Sequence, residues 1–165
     1  MNHLIISFIT ADRPGIVKVL SDLLSTHKAN WQKSSLHHMS GVFAGVVEIA
    51  VPPENSAALS KELAALADFK MQIEHVQSND IAPETLLVLE LTANDRAGIV
   101  QEISSTIHHH GGNLLKLVSK QESAPHSGHK LFKAKVTISA DKHNIDTMID
   151  ALENLADDLM VDISR

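Results

Sequence analysis

Apolar positions along the chain change their period several times, and the changes come in the same order in both halves. Residues 4–10, "LIISFIT", are apolar and β-branched, the composition of a buried strand. After "ADRPG", the residues Ile16, Val19, Leu20, Leu23, Leu24 and His27 recur at helical spacing, which predicts a helix over 15–28. Asp12 is placed to cap that helix and Pro14 to fit its first turn, where a missing N–H costs nothing. Residues 30–39 read as a more polar strand, and "HMSG" turns into an alternating strand over 42–51 that "PPEN" stops. Leu59, Leu63 and Leu66 mark a second helix, and Phe69, Met71 and Ile73 alternate as a fourth strand. The order is β-α-β-β-α-β.

The polar stretch "QSNDIAPE" follows, and the order then starts again. A strand is expected over 86–92. A helix is expected over 96–110, with Ile99, Val100, Ile103 and Ile107 on one side and Gly111 and Gly112 ending it. Residues 113–122 and 131–139 read as strands around the loop "SAPHSGH". Ile145, Ile149, Leu152 and Leu155 mark a helix, and Leu159, Val161 and Ile163 a closing strand. This organisation predicts an α+β fold of two ferredoxin-like βαββαβ domains, each a four-stranded antiparallel sheet with two helices on one face. The expected boundaries are 1–78 for the first domain, 79–84 for a linker and 85–165 for the second. The other face of each sheet needs a cover, and a second copy of the module is the natural candidate.

The repeat is also literal. "ITADRPGIVKVL" and "LTANDRAGIVQEI" share Asp-Arg-x-Gly-Ile-Val at a constant spacing of 83 residues, from Asp12 to Asp95. Phe43 answers to Phe132 at a spacing of 89, so the second copy carries six extra residues between its second and third strands. The repeated loop sits where a strand hands over to a helix. N–H groups at a helix start lack intrahelical partners and favour a carboxylate or other anion. Gly15 and Gly98 let a ligand or a neighbouring backbone approach closely, and Asp12 and Asp95 bring charge that suits an ammonium group. Asn30 and Asn113 follow the helices at one matched distance and are expected to return beside the loop, each with a donor and an acceptor. Together these groups complement a small zwitterion. The plainer reading is a helix cap and an uncrowded turn, copied with the domain.

Composition narrows the classes. A content of 44% hydrophobic residues supports a packed core. The net charge of −6, with no basic cluster, excludes an ordinary phosphate-binding surface, so no direct nucleic-acid contact is expected. With no cysteine there is no disulfide, thiolate nucleophile or Cys-based metal site, which suits the cytoplasm. No apolar run reaches membrane-spanning length, and "MNHLIISFIT" reads as a strand rather than a leader. The 11 histidines do not build a metal site in this pattern. His108, His109 and His110 point about 100° apart on a helix, His37 and His38 diverge on a strand, and His126 and His129 lie in a loop whose spacing allows weak chelation at most. Ser34, Ser35, His37 and His38 supply a nucleophile and a base in name only, with nothing to orient them, so no enzyme is expected and no cofactor. Trp31 adjoins Asn30 and reads as packing.

"ADRPGIVKVLSDLLSTHKANW" and "NDRAGIVQEISSTIHHHGGNL" resemble the opening of ACT domains, small βαββαβ modules that sense amino acids. The resemblance covers both halves. It implies a non-enzymatic regulator that binds a small amino acid, glycine or serine first, where two ACT units meet. The residues it nominates are Asp12, Arg13, Pro14, Gly15, Ile16 and Asn30 in the first copy, and Asp95, Arg96, Gly98, Ile99 and Asn113 in the second. It also implies control through a protein partner, such as a DNA-bound transcription activator, and allows a homo-oligomer; the alternatives are a ligand-free protein-interaction scaffold or a regulatory subunit of an amino-acid-metabolism enzyme. The chain departs from the pattern at Ala29, where glycine is usual, and at Ala97, where proline is. Asp12 and Asp95 stand where several amino-acid-binding members carry asparagine, and an acid there repels a ligand carboxylate.

Overall fold

The computed structural model describes residues 1–77 and 85–164, so the linker expected over 79–84 lies outside the described residues. The chain divides into two compact units, Met1–Asp80 and Ile81–Arg165. The first unit runs β1 (Asn2–Ala11), α1 (Ile16–Thr26), β2 (Asn30–Met39), β3 (Val42–Val51), α2 (Pro53–Ala64) and β4 (Lys70–Val76). The second repeats it as β5 (Thr85–Asn94), α3 (Ile99–His109), β6 (Asn113–Ser123), β7 (Lys130–Ala140), α4 (Lys142–Glu153) and β8 (Met160–Ile163). The sheets are antiparallel with strand orders β2-β3-β1-β4 and β6-β7-β5-β8. Even the irregularities match, since β2 slips register between Trp31 and Lys33 and β6 between Leu114 and Lys116.

Period-2 alternation along the central strands sends one set of side chains toward the helices. Leu4, Ile6 and Phe8 of β1 meet Val47, Ile49 and Val51 of β3, with Ile16, Leu20 and Leu24 of α1 and Leu59 and Leu63 of α2 above them. In the second unit Leu87, Leu89, Leu91, Val136 and Ile138 meet Ile103, Ile107, Met148 and Leu152. Each fully buried side chain of this size contributes about 1.5–3 kcal/mol of transfer free energy. Two residues assigned to the buried stripe lie outside it. Val19 is 38% exposed and Val100 41%, because each sits on the flank of a stripe that only one side of the helix buries.

The first helices of the two units, α1 and α3, end in the same way. Gly112 N–H donates to Ile107 O at 2.9 Å and Gly111 N–H to His108 O at 3.0 Å, with Gly111 at φ 74°. These are the two bonds of a Schellman cap. In the first unit Ala29 N–H donates to Leu24 O at 2.9 Å and Lys28 N–H to Ser25 O at 3.0 Å, but the left-handed residue is Lys28, at φ 55°. A side chain there costs about 1–2 kcal/mol, part of which glycine returns as chain entropy. Lys28→Gly is therefore expected to stabilise the first unit by roughly 0.5–1 kcal/mol. Urea denaturation of the two proteins checks this, and an unchanged or lower midpoint contradicts it.

The six extra residues of the second copy fall between β6 and β7. In the first unit Ser40 (φ 50°) and Gly41 (φ 81°) close the β2–β3 hairpin alone. In the second, residues 124–129 form a loop held by Ala124 N–H to His129 O at 2.8 Å. At the base of that loop Glu122 pairs with Lys120 and, at 2.7 Å, with Lys133. Hydrogen bonds from these two ammonium groups pull its carboxyl down to about 2. A carboxylate whose folded value is depressed stabilises the fold above its unfolded value, about 4.3, and loses that contribution as pH falls toward 2. The site is solvent-facing, so the effect on stability is small. NMR titration of Glu122 is expected to show a midpoint well below that of an ordinary glutamate, and Lys133→Ala to raise it. An ordinary midpoint in the wild type refutes the pairing.

Candidate functional site

Each repeated loop is four residues long, 12–15 and 95–98, and joins a central strand to the first helix of its unit. Asp12 N–H donates to Gly41 O at 2.9 Å, and Asp95 N–H to Lys130 O at 2.8 Å, so each loop is tied to the hairpin end of the sheet. The chain then turns through a glycine. Gly15 has φ 87° and ψ 5°, and Gly98 has φ 88° and ψ −5°. These glycines, not the aspartates, flank the helices, and neither receives a side-chain cap. Asp12 is thus not the helix cap expected from its position. It stands three residues too early, Pro14 precedes the helix, and the helices begin at Ile16 and Ile99. The first intrahelical bonds are Val19 N–H to Gly15 O at 2.9 Å and Glu102 N–H to Gly98 O at 3.0 Å. The turn before each leaves N–H groups directed out of the helix end, which suits an anion. Ile16 and Ile99 are buried and anchor the first turns to the core.

Glycine serves the backbone here more than close approach. A Cβ on Gly15 meets no atom within 4 Å, and one on Gly98 meets only the Glu102 carboxylate at 3.9 Å. What forbids a side chain is the left-handed φ.

The charged residues of the loops find partners within their own units. Arg13 donates to Asp68 at 2.9 Å, and the Asp12 carboxylate lies 3.5 Å from His38 Nε2. Arg96 pairs with Glu102 and, at 3.9 Å, with Asp158, while Asp95 accepts from Gln121. The Glu102 hydrogen bond raises the Arg96 pKa above its ordinary value. Asp158 is held below the usual carboxylate range, first by Asn94 N–H at 2.7 Å and then by Arg96. Asp68 and Asp158 went unnoticed in the sequence. Each stands two residues before the last strand of its unit, in "ADF" and "DDL", and pairing those two phrases in the repeat would have found them. Thr10, buried on β1, also donates to Asp68 O at 2.8 Å, which places Asp68 against the loop.

Asn30 and Asn113 do not return beside the loop of their own unit. Asn30 opens β2 level with Ala50, and Ala50 pairs with His3 at the start of β1, whereas the loop follows the end of β1. Asn113 is level with Ser139, which pairs with Leu86 at the start of β5. An antiparallel helix carries the chain back across the sheet, so the two groups stand some eight residues apart along a strand, about 26 Å. Within one unit they cannot hold the same small molecule. Both side chains are exposed.

Among the described residues no three His, Asp or Glu side chains converge as metal ligands. His110 Nδ1 lies 2.8 Å from Thr106 O at the end of α3, and His27 Nε2 lies 3.2 Å from Glu62. Ser35 Oγ stands 3.0 Å from His37 Nε2, but both are exposed on one strand and no carboxylate orients the ring among the described contacts. Among the described residues no helix is long and apolar enough to cross a membrane.

Residues 2–76 match the family model of the ACT domain. The match lies within the first unit, and the second unit repeats that unit's order of elements and strands. Across its full length the chain is similar to a protein from Galdieria sulphuraria described as unknown, with TM-score 0.80, 21% identity and 99% of each chain covered. It is also similar to a candidate glycine cleavage system transcriptional repressor, with TM-score 0.71, 18% identity, and 99% of this chain and 96% of that one covered. At such identities the likeness establishes the shared fold. No curated protein sequence matches the chain.

Proposed function

We propose that this chain is a non-enzymatic, cytoplasmic regulator that senses a small amino acid and acts through protein–protein contact. Its most specific form is repression of glycine cleavage genes, with glycine as effector, through a DNA-bound activator rather than through DNA itself. The observation that carries the reading is the repeated strand-to-helix loop, which directs uncapped N–H groups outward in an ACT fold. The full-length likeness to the candidate glycine cleavage repressor supports the choice of pathway. Amino-acid control follows if the ligand binds one arrangement of the protein better than another. Because Asn30 stands far from its own loop, no small ligand uses both groups within one unit. Thermal unfolding with each amino acid in turn tests the proposal: glycine or serine is expected to raise the midpoint.

A ligand-free interaction scaffold is the second reading, and one observation favours it. Arg13, Arg96 and Asp95 already have internal partners, so the loop charges serve the fold. That reading predicts no shift with any amino acid.

The net charge of −6 also predicts that the purified chain does not bind operator DNA by itself. Electrophoretic mobility shift at physiological salt checks this; sequence-specific, sub-micromolar binding contradicts it.

A further inference from the structure

The two repeated loops are nearly identical in sequence but not in surroundings. At the spacing of 83 residues, Val19 of α1 answers to Glu102 of α3. Each belongs to the first turn of its helix, and only α3 carries an acid in that turn. The Glu102 carboxylate bends back over the loop. One oxygen pairs with Arg96, and the other lies 3.9 Å from the place a Cβ on Gly98 would take. It thus stands over the turn glycine, at a helix end whose unpaired N–H groups favour an anion, and against the guanidinium of the loop. A bound amino acid would bring its own carboxylate to that place. Asp158 lies 3.9 Å from the same guanidinium, so Arg96 faces two internal carboxylates.

The first loop lacks this occupant. A Cβ on Gly15 meets no atom within 4 Å, and Val19 offers no charge. Among the described residues Arg13 pairs with Asp68 alone, and both side chains are open to water, 46% and 70% exposed. A single exposed ion pair contributes little. Arg13 can therefore turn from Asp68 to a ligand carboxylate at small cost, whereas Arg96 would have to give up Glu102. Because Glu102 is tethered to the same helix turn, it competes at the high effective concentration of an intramolecular group. The turn itself requires neither residue: Gly15 and Gly98 adopt φ 87° and 88° with valine above one and glutamate above the other.

We propose that Glu102 is a built-in occupant of the second loop, so that the first loop alone takes the carboxylate of a free amino acid. The inference rests on the amino-acid-sensing reading and gives the two copies different tasks, the first as the sensor and the second as its closed counterpart.

Isothermal titration of the full chain with glycine, and separately with serine, counts the sites. The wild type is expected to bind one molecule per chain. Glu102→Val gives the second copy the residue that the first one carries, and should raise the count to two. Val19→Glu installs the occupant in the first loop and should weaken binding by about tenfold or more. Both side chains reach solvent, so each variant should keep the circular dichroism spectrum of the wild type. A wild type that binds two molecules per chain overturns the proposal. So does a Glu102→Val variant that still binds one, a Val19→Glu variant that binds as the wild type does, or a wild type that binds nothing while Glu102→Val binds one. If neither the wild type nor Glu102→Val binds glycine or serine, the sensing reading itself falls, and this inference with it.

Discussion

Glycine or serine, supplied at a hundred times its dissociation constant, is expected to raise the unfolding free energy of the chain by about 2.7 kcal/mol. Asn30→Ala or Asn113→Ala should remove that gain at the site the asparagine lines. The comparison is clean because both asparagines are exposed, so each substitution should move the ligand-free stability by no more than about 0.5 kcal/mol. Gly15→Val and Gly98→Val behave differently. The space at Gly15 is open, so valine does not so much fill a ligand's place as force a β-branched residue into the left-handed region. That should cost about 1–2 kcal/mol or more with or without ligand. Four unfolding curves per protein, with and without each amino acid, separate the cases. An asparagine variant that loses free stability but keeps the ligand shift refutes its place in the site. A wild type that no amino acid shifts, even at millimolar concentration, returns the loop to structure and leaves the scaffold reading.

Gly45→Ala should destabilise the first unit by about 2–3 kcal/mol, the upper end of overpacking costs. A Cβ on Gly45 would meet Ser35 O at 2.5 Å, Leu36 Cα at 3.0 Å and the Leu36 Cδ2 methyl. The carbonyl belongs to the neighbouring strand β2 and cannot retreat without disturbing its ladder with β3. The second unit solves the same position the other way. There β7 carries Ala134, which pairs with Ser119, where β2 and β3 pair Leu36 with Gly45. Leu36→Ser should therefore relieve part of the clash. The double variant should be more stable than the sum of the two single losses by at least about 0.5 kcal/mol. Urea denaturation of the cycle measures the coupling, and strict additivity would show that the two positions do not share that space.

The hairpin insertion, the order of elements and the two βαββαβ sheets were legible in the sequence because they rest on period and repetition. Strand alternation and helical spacing are local properties, and a repeat of 83 residues aligns every element of one copy with the other. The site was legible only in part. The loop was found because it is written twice, but the role given to its aspartate was wrong by three residues: cap position depends on the turn that Gly15 makes, not on residue type. Asp68 and Asp158 were missed because their partners, Arg13 and Arg96, are distant in sequence. The separation of Asn30 from the loop was missed for a related reason. A constant interval along the chain says nothing about which end of the sheet a residue occupies once a helix has reversed direction.

By itself, then, the sequence determined two βαββαβ units, their glycine-marked loops, the absence of cysteine chemistry and an acidic net charge. These follow from side-chain type and from patterns that each element carries within itself. Only the tertiary structure decided that the loop charges are internally paired and that the asparagines lie at the far end of the sheet. It alone showed that Lys28 holds a left-handed cap. Ion pairs, caps and faces are set by register and by the direction of each crossover, and these exist only once strands distant in sequence have paired.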